Sequence, residues 1–430
     1  MFARLFSVAV VFLLVASPVS ANVFPKIVPQ IVLPDSGLVA KDLAVIVNTE
    51  DPLSVQIAGY YQQQRQIPPE NIITISFKVD KPVMRPGEFA VLKKIVEAKT
   101  PKHIQAYLLT WADPYRVGCM SISSAFALGF DSRYCAKGCK LTAASQYAGT
   151  NSLRPYDDFS IRPTMLLAAA NFEEAKALID RGVAADGQMV ANGNNGKAYL
   201  LETSDKARSV RKSVFPSVQL LLGNKLPVTI LKANAIRNRK DVMFYFTGKK
   251  FVADIDSNTF LPGAMADHLT SAGGKLTNSR QMSALRWLEG GATGSYGAVV
   301  EPCNFPGKFP NPLIAMSNYM QGSSLIEAYW KSVIMPGQGV FIGEPLAKPY
   351  MGYRLKKRNN SYALFSPVLT RGYYKILTSS QKTGPFTLVT SGIEITPYQQ
   401  FITLPQPLSP FYKIERLQNY AQPLLSSPLF

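Results

Sequence analysis

The residues of this chain best suited to chemistry are one cysteine and one histidine. Cys303 stands in Glu301-Pro302-Cys303-Asn304, just past an apolar stretch. A thiol at an exposed strand end can act as a nucleophile once a base is in reach. His268 lies 35 residues upstream and is one of only two histidines, the other being His103. The adjacent Asp267 cannot readily orient its ring, because neighbours in sequence point different ways. The competing reading makes Cys303 a structural or disulfide-bonded cysteine and His268 a hydrogen-bonded loop residue.

Other polar groups gather around strand ends and glycines. The stretch 285–350 mixes glycine, proline, aromatic and polar residues, a texture of loops at one sheet edge. Ser295, Tyr296, Glu301, Cys303 and Asn304 are read as the rim of a cleft there. Glu344-Pro345 and Asp113-Pro114-Tyr115-Arg116 end other apolar runs and join the binding-cleft candidates. The Gly-rich 290–295 follows a helix instead of opening one, so it reads as a tight helix-to-strand connection more readily than as an anion cradle. Asp254, Asp256 and Asn258 alternate like a calcium loop but lack its glycine and closing Glu. No GxSxG, HExxH, Walker loop or GxGxxG is present, and no metal or cofactor is called for.

Composition sets the compartment. Met1 to Ala21 has a basic start, an apolar run too short for a comfortable membrane span and small residues at its end, the pattern of a secretory signal peptide. Arg4 is its only charged residue, so the formal +18 leaves +17 for the rest. The cations are dispersed, with small clusters at Arg208/Arg211/Lys212, Arg237/Arg239/Lys240 and Lys356-Lys357-Arg358. That dispersal argues against nucleic acid; in an exported chain the positive balance suits anionic envelope polymers or lipid headgroups, with an envelope protein or an anionic polysaccharide as candidate partner, and the competing reading is general solubility. The expected place is periplasmic or extracellular, with no transmembrane segment after the leader. Cys135 and Cys139 are candidates to pair with each other, or one of them with Cys119; four cysteines allow three pairings, and spacing does not choose.

The elements that must position these groups follow from periodicity. Residues 22–42 are a Pro-rich lead-in. Residues 43–350 alternate apolar runs (43–48, 71–77, 103–111, 164–167, 197–203, 227–231, 241–247, 298–300, 339–342) with helical stretches. One helix is capped at Ser54, one runs from Gly87 to Ala98, and one is capped at Asn171. A basic helix starts at Ser204-Asp205, and further helices cover 280–288 and 325–333. Such alternation predicts a mainly parallel sheet with helices on both faces, divisible into 43–195 and 196–350. Residues 118–160 read as a long cysteine-containing loop. Residues 351–430 lose the helical signals and read as a small antiparallel β sandwich, a module that could also bind carbohydrate.

Two resemblances add to this. The strings VNTEDPLSVQIAGYYQQQRQIPPENI, DHLTSAGG, GATGSYGAVVEPCNFPGKFP and EAYWKSVIMPGQGVFIGEPLAKPY resemble a family of exported bacterial proteins of uncharacterised activity, found in species that carry the exosortase sorting system. The order of elements from 241 onward resembles the gingipain-type cysteine peptidases of the caspase-like fold. In those, one strand ends in a Gly-His-Gly turn and the next in the nucleophilic cysteine. Here Phe244-Tyr-Phe-Thr-Gly248 matches the first strand, but Lys249 stands where the histidine belongs. Met265-Ala-Asp-His-Leu-Thr-Ser271 falls where the cysteine strand belongs and holds no cysteine. Ala292-Thr-Gly-Ser-Tyr296 and Gly343-Glu-Pro345 match later landmarks. The resemblance thus implies a caspase-like fold without its dyad, and adds Lys249, Asp267, Thr270 and Ser271 to the cleft candidates. The expectation is a non-catalytic binding or assembly protein at the envelope, linked to exosortase-type sorting or exopolysaccharide. The alternative is a hydrolase or transpeptidase using Cys303 with His268.

Overall fold

A strand that buries both of its faces needs a layer above and a layer below. The run Leu43–Asn48 meets that condition: all six residues are buried. The computed structural model describes residues 28–136, 138–396 and 399–417, so the signal peptide expected at 1–21 lies outside it.

A short strand β1 (Gln30–Val32) precedes the ten strands of the main sheet. These are β2 (Leu43–Asn48), β3 (Ile72–Ile75), β4 (Ala106–Leu109), β5 (Thr164–Leu166), β6 (Lys197–Leu201), β7 (Val228–Leu231), β8 (Val242–Thr247), β9 (Phe260–His268), β10 (Gly294–Ala298) and β11 (Gly339–Gly343). Their spatial order is β7-β6-β8-β9-β10-β11-β5-β4-β2-β3. Every neighbouring pair is parallel except β10 with β11, which runs antiparallel from Gly294↔Gly343 to Ala298↔Gly339. The sheet is therefore two parallel halves pointing in opposite directions. The carboxyl ends of β6, β8, β9 and β10 lie at one edge, and those of β11, β5, β4 and β2 at the other.

The helices include α1 (Pro52–Arg65), α2 (Pro86–Lys99), α3 (Ile122–Leu128), α4 (Phe172–Ala184), α5 (Phe215–Leu222), α6 (Leu285–Glu289), α7 (Pro312–Met320) and α8 (Leu325–Lys331), with short helical turns at Pro155–Phe159 and Gln188–Ala191 besides. Asn171 caps α4 by accepting from the Glu174 N–H, and Ser324 with Glu327 forms a capping box on α8. Helices cover both faces. Tyr107 of β4 meets Phe126 of α3 and Lys93 of α2. Thr110, of the opposite parity, lies 2.7 Å from Ser54 Oγ of α1. Alternate strand residues face opposite sides.

Five expectations are corrected here. Ser54 does not cap α1; Asp51 does, because Pro52 suits the first helical position, and Ser54 is buried one turn in. The basic stretch after Asp205 forms a 3-10 helix over Ser209–Val214 before α5 begins. The strand expected at 298–300 is β10, Gly294–Ala298, and the helix expected over 280–288 shortens to α6. Residues 118–160 are not one loop: they hold α3, and a short antiparallel strand pair, Arg116–Val117 with Met120–Ser121, precedes it.

The β domain comprises β12 (Arg354–Arg358), β13 (Ser361–Phe365), β14 (Gly372–Ser379), β15 (Thr387–Ile395), β16 (Ile402–Thr403) and β17 (Phe411–Arg416). Two sheets, β12-β13-β16 and β1-β17-β14-β15, share a core of Leu364, Tyr374, Ile376, Ile402 and Ile414. The lead-in is not irregular throughout. Its β1 pairs parallel with Phe411–Lys413, and Ile31 enters the sandwich core. Among the described residues, no helix is long and apolar enough to cross a membrane.

Candidate functional site

β8 and β9 are neighbours, with Thr247 opposite His268, so their ends lie side by side at one edge. Gly248 follows β8 because a Cβ there would overlap the Arg208 carbonyl. Lys249 comes next, half-buried, its Nζ 3.4 Å from Ser204 Oγ.

The His268 imidazole is buried and used on both nitrogens. Trp287 Nε1–H donates to Nδ1 at 2.9 Å, which leaves the proton on Nε2 to donate to the Met282 carbonyl at 3.1 Å. Burial pushes its pKa down to about 4; Arg211 and Arg208 push the same way, and the Met282 bond opposes them. Such a ring is neutral at pH 7 and holds no free lone pair for a substrate proton. Asp267, one residue earlier, faces the other side and pairs with Arg211 at 2.5 Å, both side chains being at most 3% exposed. Arg211 also donates to the carbonyls of Thr247 and Pro310. Burial raises the Asp267 pKa against the pull of Arg211.

Thr270 is buried and donates to Gln281 Oε1 at 2.7 Å while accepting from Arg208 Nε. Gln281 Oε1 also takes the Ala272 N–H. Ser271 is half-buried beside them. The loop 271–284 then turns back along β10, and Gly274 and Gly297 touch backbone to backbone with no room for a Cβ on either. That contact accounts for Gly274 and Gly297, while Gly294 is kept bare by Leu325 and Tyr329. The same loop reaches the first half of the sheet: Thr277 donates to Asp113 at 3.1 Å and Tyr115 to Asn278 at 2.7 Å. Burial raises the pKa of both Asp113 and Tyr115. Arg116 is half-buried with its Nε unpartnered.

Cys303 carries no free thiol in this structure. It is bonded to Cys139, with the two Cα atoms 5.5 Å apart, and Cys119 is bonded to Cys135. Sequence spacing left this pairing open, and Cys135 and Cys139 do not join. Among the described residues no cysteine is free. Cys303 has a left-handed φ of 55°, and Glu301 Oε1 accepts its N–H at 2.8 Å, so the turn is built to present the sulfur to Cys139. In the structure the Cys303 sulfur is therefore in a disulfide and both His268 ring nitrogens are hydrogen-bonded.

The expected cleft rim is corrected as well. Ser295 and Tyr296 are interior, because β10 lies between β9 and β11 in the middle of the sheet; Tyr296 donates to the Lys308 carbonyl at 2.6 Å. Glu301 and Asn304 are exposed. Glu344 is fully buried at the opposite edge, beside the start of β10, since β11 runs the other way. It accepts from Tyr61 at 2.7 Å and from Arg65 Nε at 3.1 Å, and is ion-paired to Arg65 at 2.5 Å. The loop 271–284 thus bonds Asp113, Tyr115, His268 and Thr270 and begins at Ser271, whereas Lys249 and Asp267, at the same β8–β9 edge, bond to Ser204 and Arg211 instead, and Glu344 is not part of this neighbourhood. A shallow cavity of about 480 Å³ lies between the 184–191 turn and residues 351–353, and one of about 70 Å³ between α4 and α6; neither is lined by any of these residues.

No family model matches the chain, and no curated protein matches it. Among solved structures, one described as a protease overlays with a TM-score of 0.43 at 10% identity, covering 89% of this chain and 98% of that one. The arginine-specific cysteine proteinase gingipain R gives 0.44 at 9% identity over 82% of this chain and 90% of that one. The complex of the RgpB pro- and mature domains from Porphyromonas gingivalis gives 0.44 at 9% identity, over 81% and 91%. The overlays are loose, and no residue role is carried across from them.

Sequence reasoning missed the residues that hold this edge together. Arg211 reads as a member of a surface cluster and is instead a buried counter-ion. Trp287 and Gln281 give no signal beyond their type. A buried acid such as Asp267 in an otherwise apolar strand is the one clue that a cation must come from elsewhere.

Proposed function

We propose that this chain is an exported, non-catalytic relative of the caspase-like peptidases that acts by binding or assembly at the cell envelope, in connection with exosortase-type sorting or exopolysaccharide. The observation that carries the reading is the state of the two reactive groups. The Cys303 sulfur is in a disulfide and both His268 nitrogens are hydrogen-bonded. A thiol peptidase needs a thiolate and a base at adjacent strand ends. The adjacent ends are those of β8 and β9, and they offer Lys249 and the Arg211–Asp267 pair. Two disulfides suit an oxidising compartment, which supports export together with the leader pattern. The opposed halves of the sheet support the division into 43–195 and 196–350, with β11 crossing over to complete the first half.

Turnover of peptide pools by wild type, Cys303→Ala and Cys139→Ala tests this. The reading expects none in all three. Turnover that disappears in Cys303→Ala yet persists in Cys139→Ala, where Cys303 is unpaired, would instead establish a cysteine hydrolase.

A further inference from the structure

The β domain carries a set of charges that the rest of the protein leaves open. Residues 351–417 hold nine Lys or Arg against two Glu. Lys375 and Lys413 share Glu415. Arg354, Lys356 and Arg358 of β12 are exposed, and none has a carboxylate partner among the described residues.

Their direction follows from the register. Leu355 pairs with Leu364, which is in the sandwich core. Arg354, Lys356 and Arg358 have the other parity and so stand on the outer face, opposite Phe365, Ala363 and Ser361. Side chains two apart on a strand repeat every ~6.7 Å, so the three cations form a straight row. Aromatic rings flank it: the Arg358 guanidinium lies 4.4 Å from the Phe401 ring centroid, and Phe401 and Phe365 are 5.4 Å apart at 36°. The row starts one residue after Tyr353, at the mouth of the cavity of about 480 Å³. Gln188 lines that cavity, and its Oε1 is buried without a partner, an acceptor suited to a hydroxyl.

We propose that this outer face binds a linear carboxylated polysaccharide. Arg354, Lys356 and Arg358 take successive carboxylates, Phe365 and Phe401 carry the faces of sugar rings, and the chain end or a branch enters the cavity at Gln188. The features fit a glycan better than a membrane, because the face joins a row of cations to flat rings and leads to a buried, unpartnered acceptor suited to a hydroxyl. This rests on the binding role proposed above and gives it a partner and a surface.

The test titrates polygalacturonate into the chain from residue 22 onward. The triple variant Arg354→Gln, Lys356→Gln, Arg358→Gln is expected to lower affinity at least tenfold with an unchanged melting temperature. A control triple, Lys94→Gln, Lys102→Gln, Lys206→Gln, removes the same charge from exposed sites elsewhere and is expected to change it less than twofold. Phe401→Ala, which alters no charge, is expected to weaken binding at least threefold. Equal losses in both triples would reduce the effect to net charge and overturn the proposal. So would no binding of polygalacturonate by wild type, or a β12 triple that affects only phosphatidylglycerol vesicles. None of these outcomes touches the non-catalytic reading, which is decided by thiol state and turnover.

Discussion

Two ends of the main sheet each close with an arginine on a buried carboxylate, and they differ in completeness. At the end of β11, Arg65 bonds Glu344, Asp186 and the Gly182 carbonyl, and Glu344 also takes Tyr61 and the Leu346 N–H. At the end of β9, Asp267 meets Arg211 through one oxygen, while Asp267 Oδ2 and Arg211 Nε have no partner. The first network is saturated and fixes α1 and α4 to the sheet. The second is held by fewer bonds, at the edge where β8 and β9 end side by side. A buried ion pair gives little net stability over apolar packing, but losing one partner is costly. The two ends should therefore respond differently when cut.

The largest effect is expected from Glu344→Gln, which leaves Arg65, 8% exposed, without its main counter-charge. The loss should be about 3–5 kcal/mol, read from a lowered urea midpoint at constant slope. Next comes pH. His268 is neutral in the fold down to about 4 and takes a proton near 6.5 when unfolded. Its folded pKa is depressed, so between those values the unfolded state binds the extra proton. Stability is full above 6.5 and is lost as pH falls toward 4, by up to about 3 kcal/mol. His268→Gln, though less stable at pH 7, should show a shallower decline across that window; an equal slope would mean the ring is solvated.

A smaller loss, about 2 kcal/mol, is expected for Arg211→Met, because Asp267 already has a raised pKa and can take up a proton in place of its partner. That loss should shrink as pH falls, since a carboxyl with a raised folded pKa favours the fold once protonated. A pH-independent loss equal to that of Glu344→Gln would erase the contrast between the two ends. The smallest effect belongs to the exposed cations: neutralising Arg354, Lys356 and Arg358 together should move stability by no more than about 0.5 kcal/mol in thermal melts.

The helical and parallel-strand frame was legible because doubly covered strands leave continuous apolar runs, as at Leu43–Asn48 and Val242–Thr247. β10 reads too late in the sequence, since Gly-Ser-Tyr-Gly-Ala has the texture of a polar loop; its burial comes from neighbours on both sides and from Gly274 against Gly297. β1 hid in a Pro-rich lead-in because its partner, β17, lies at the far end of the described chain. The site was legible as residue types and not as pairings. Cys303 with Cys139, Asp267 with Arg211 and Glu344 with Arg65 join distant segments, and no spacing rule links them.

The central claim is that the chain holds no free thiol beside the β8–β9 edge. Alkylation of the folded protein without reductant, followed by non-reducing peptide mapping, tests it most directly. The account predicts a linked Cys139–Cys303 peptide, a linked Cys119–Cys135 peptide and no alkylated cysteine. Stoichiometric alkylation of Cys303, with Cys139 paired elsewhere, would contradict it.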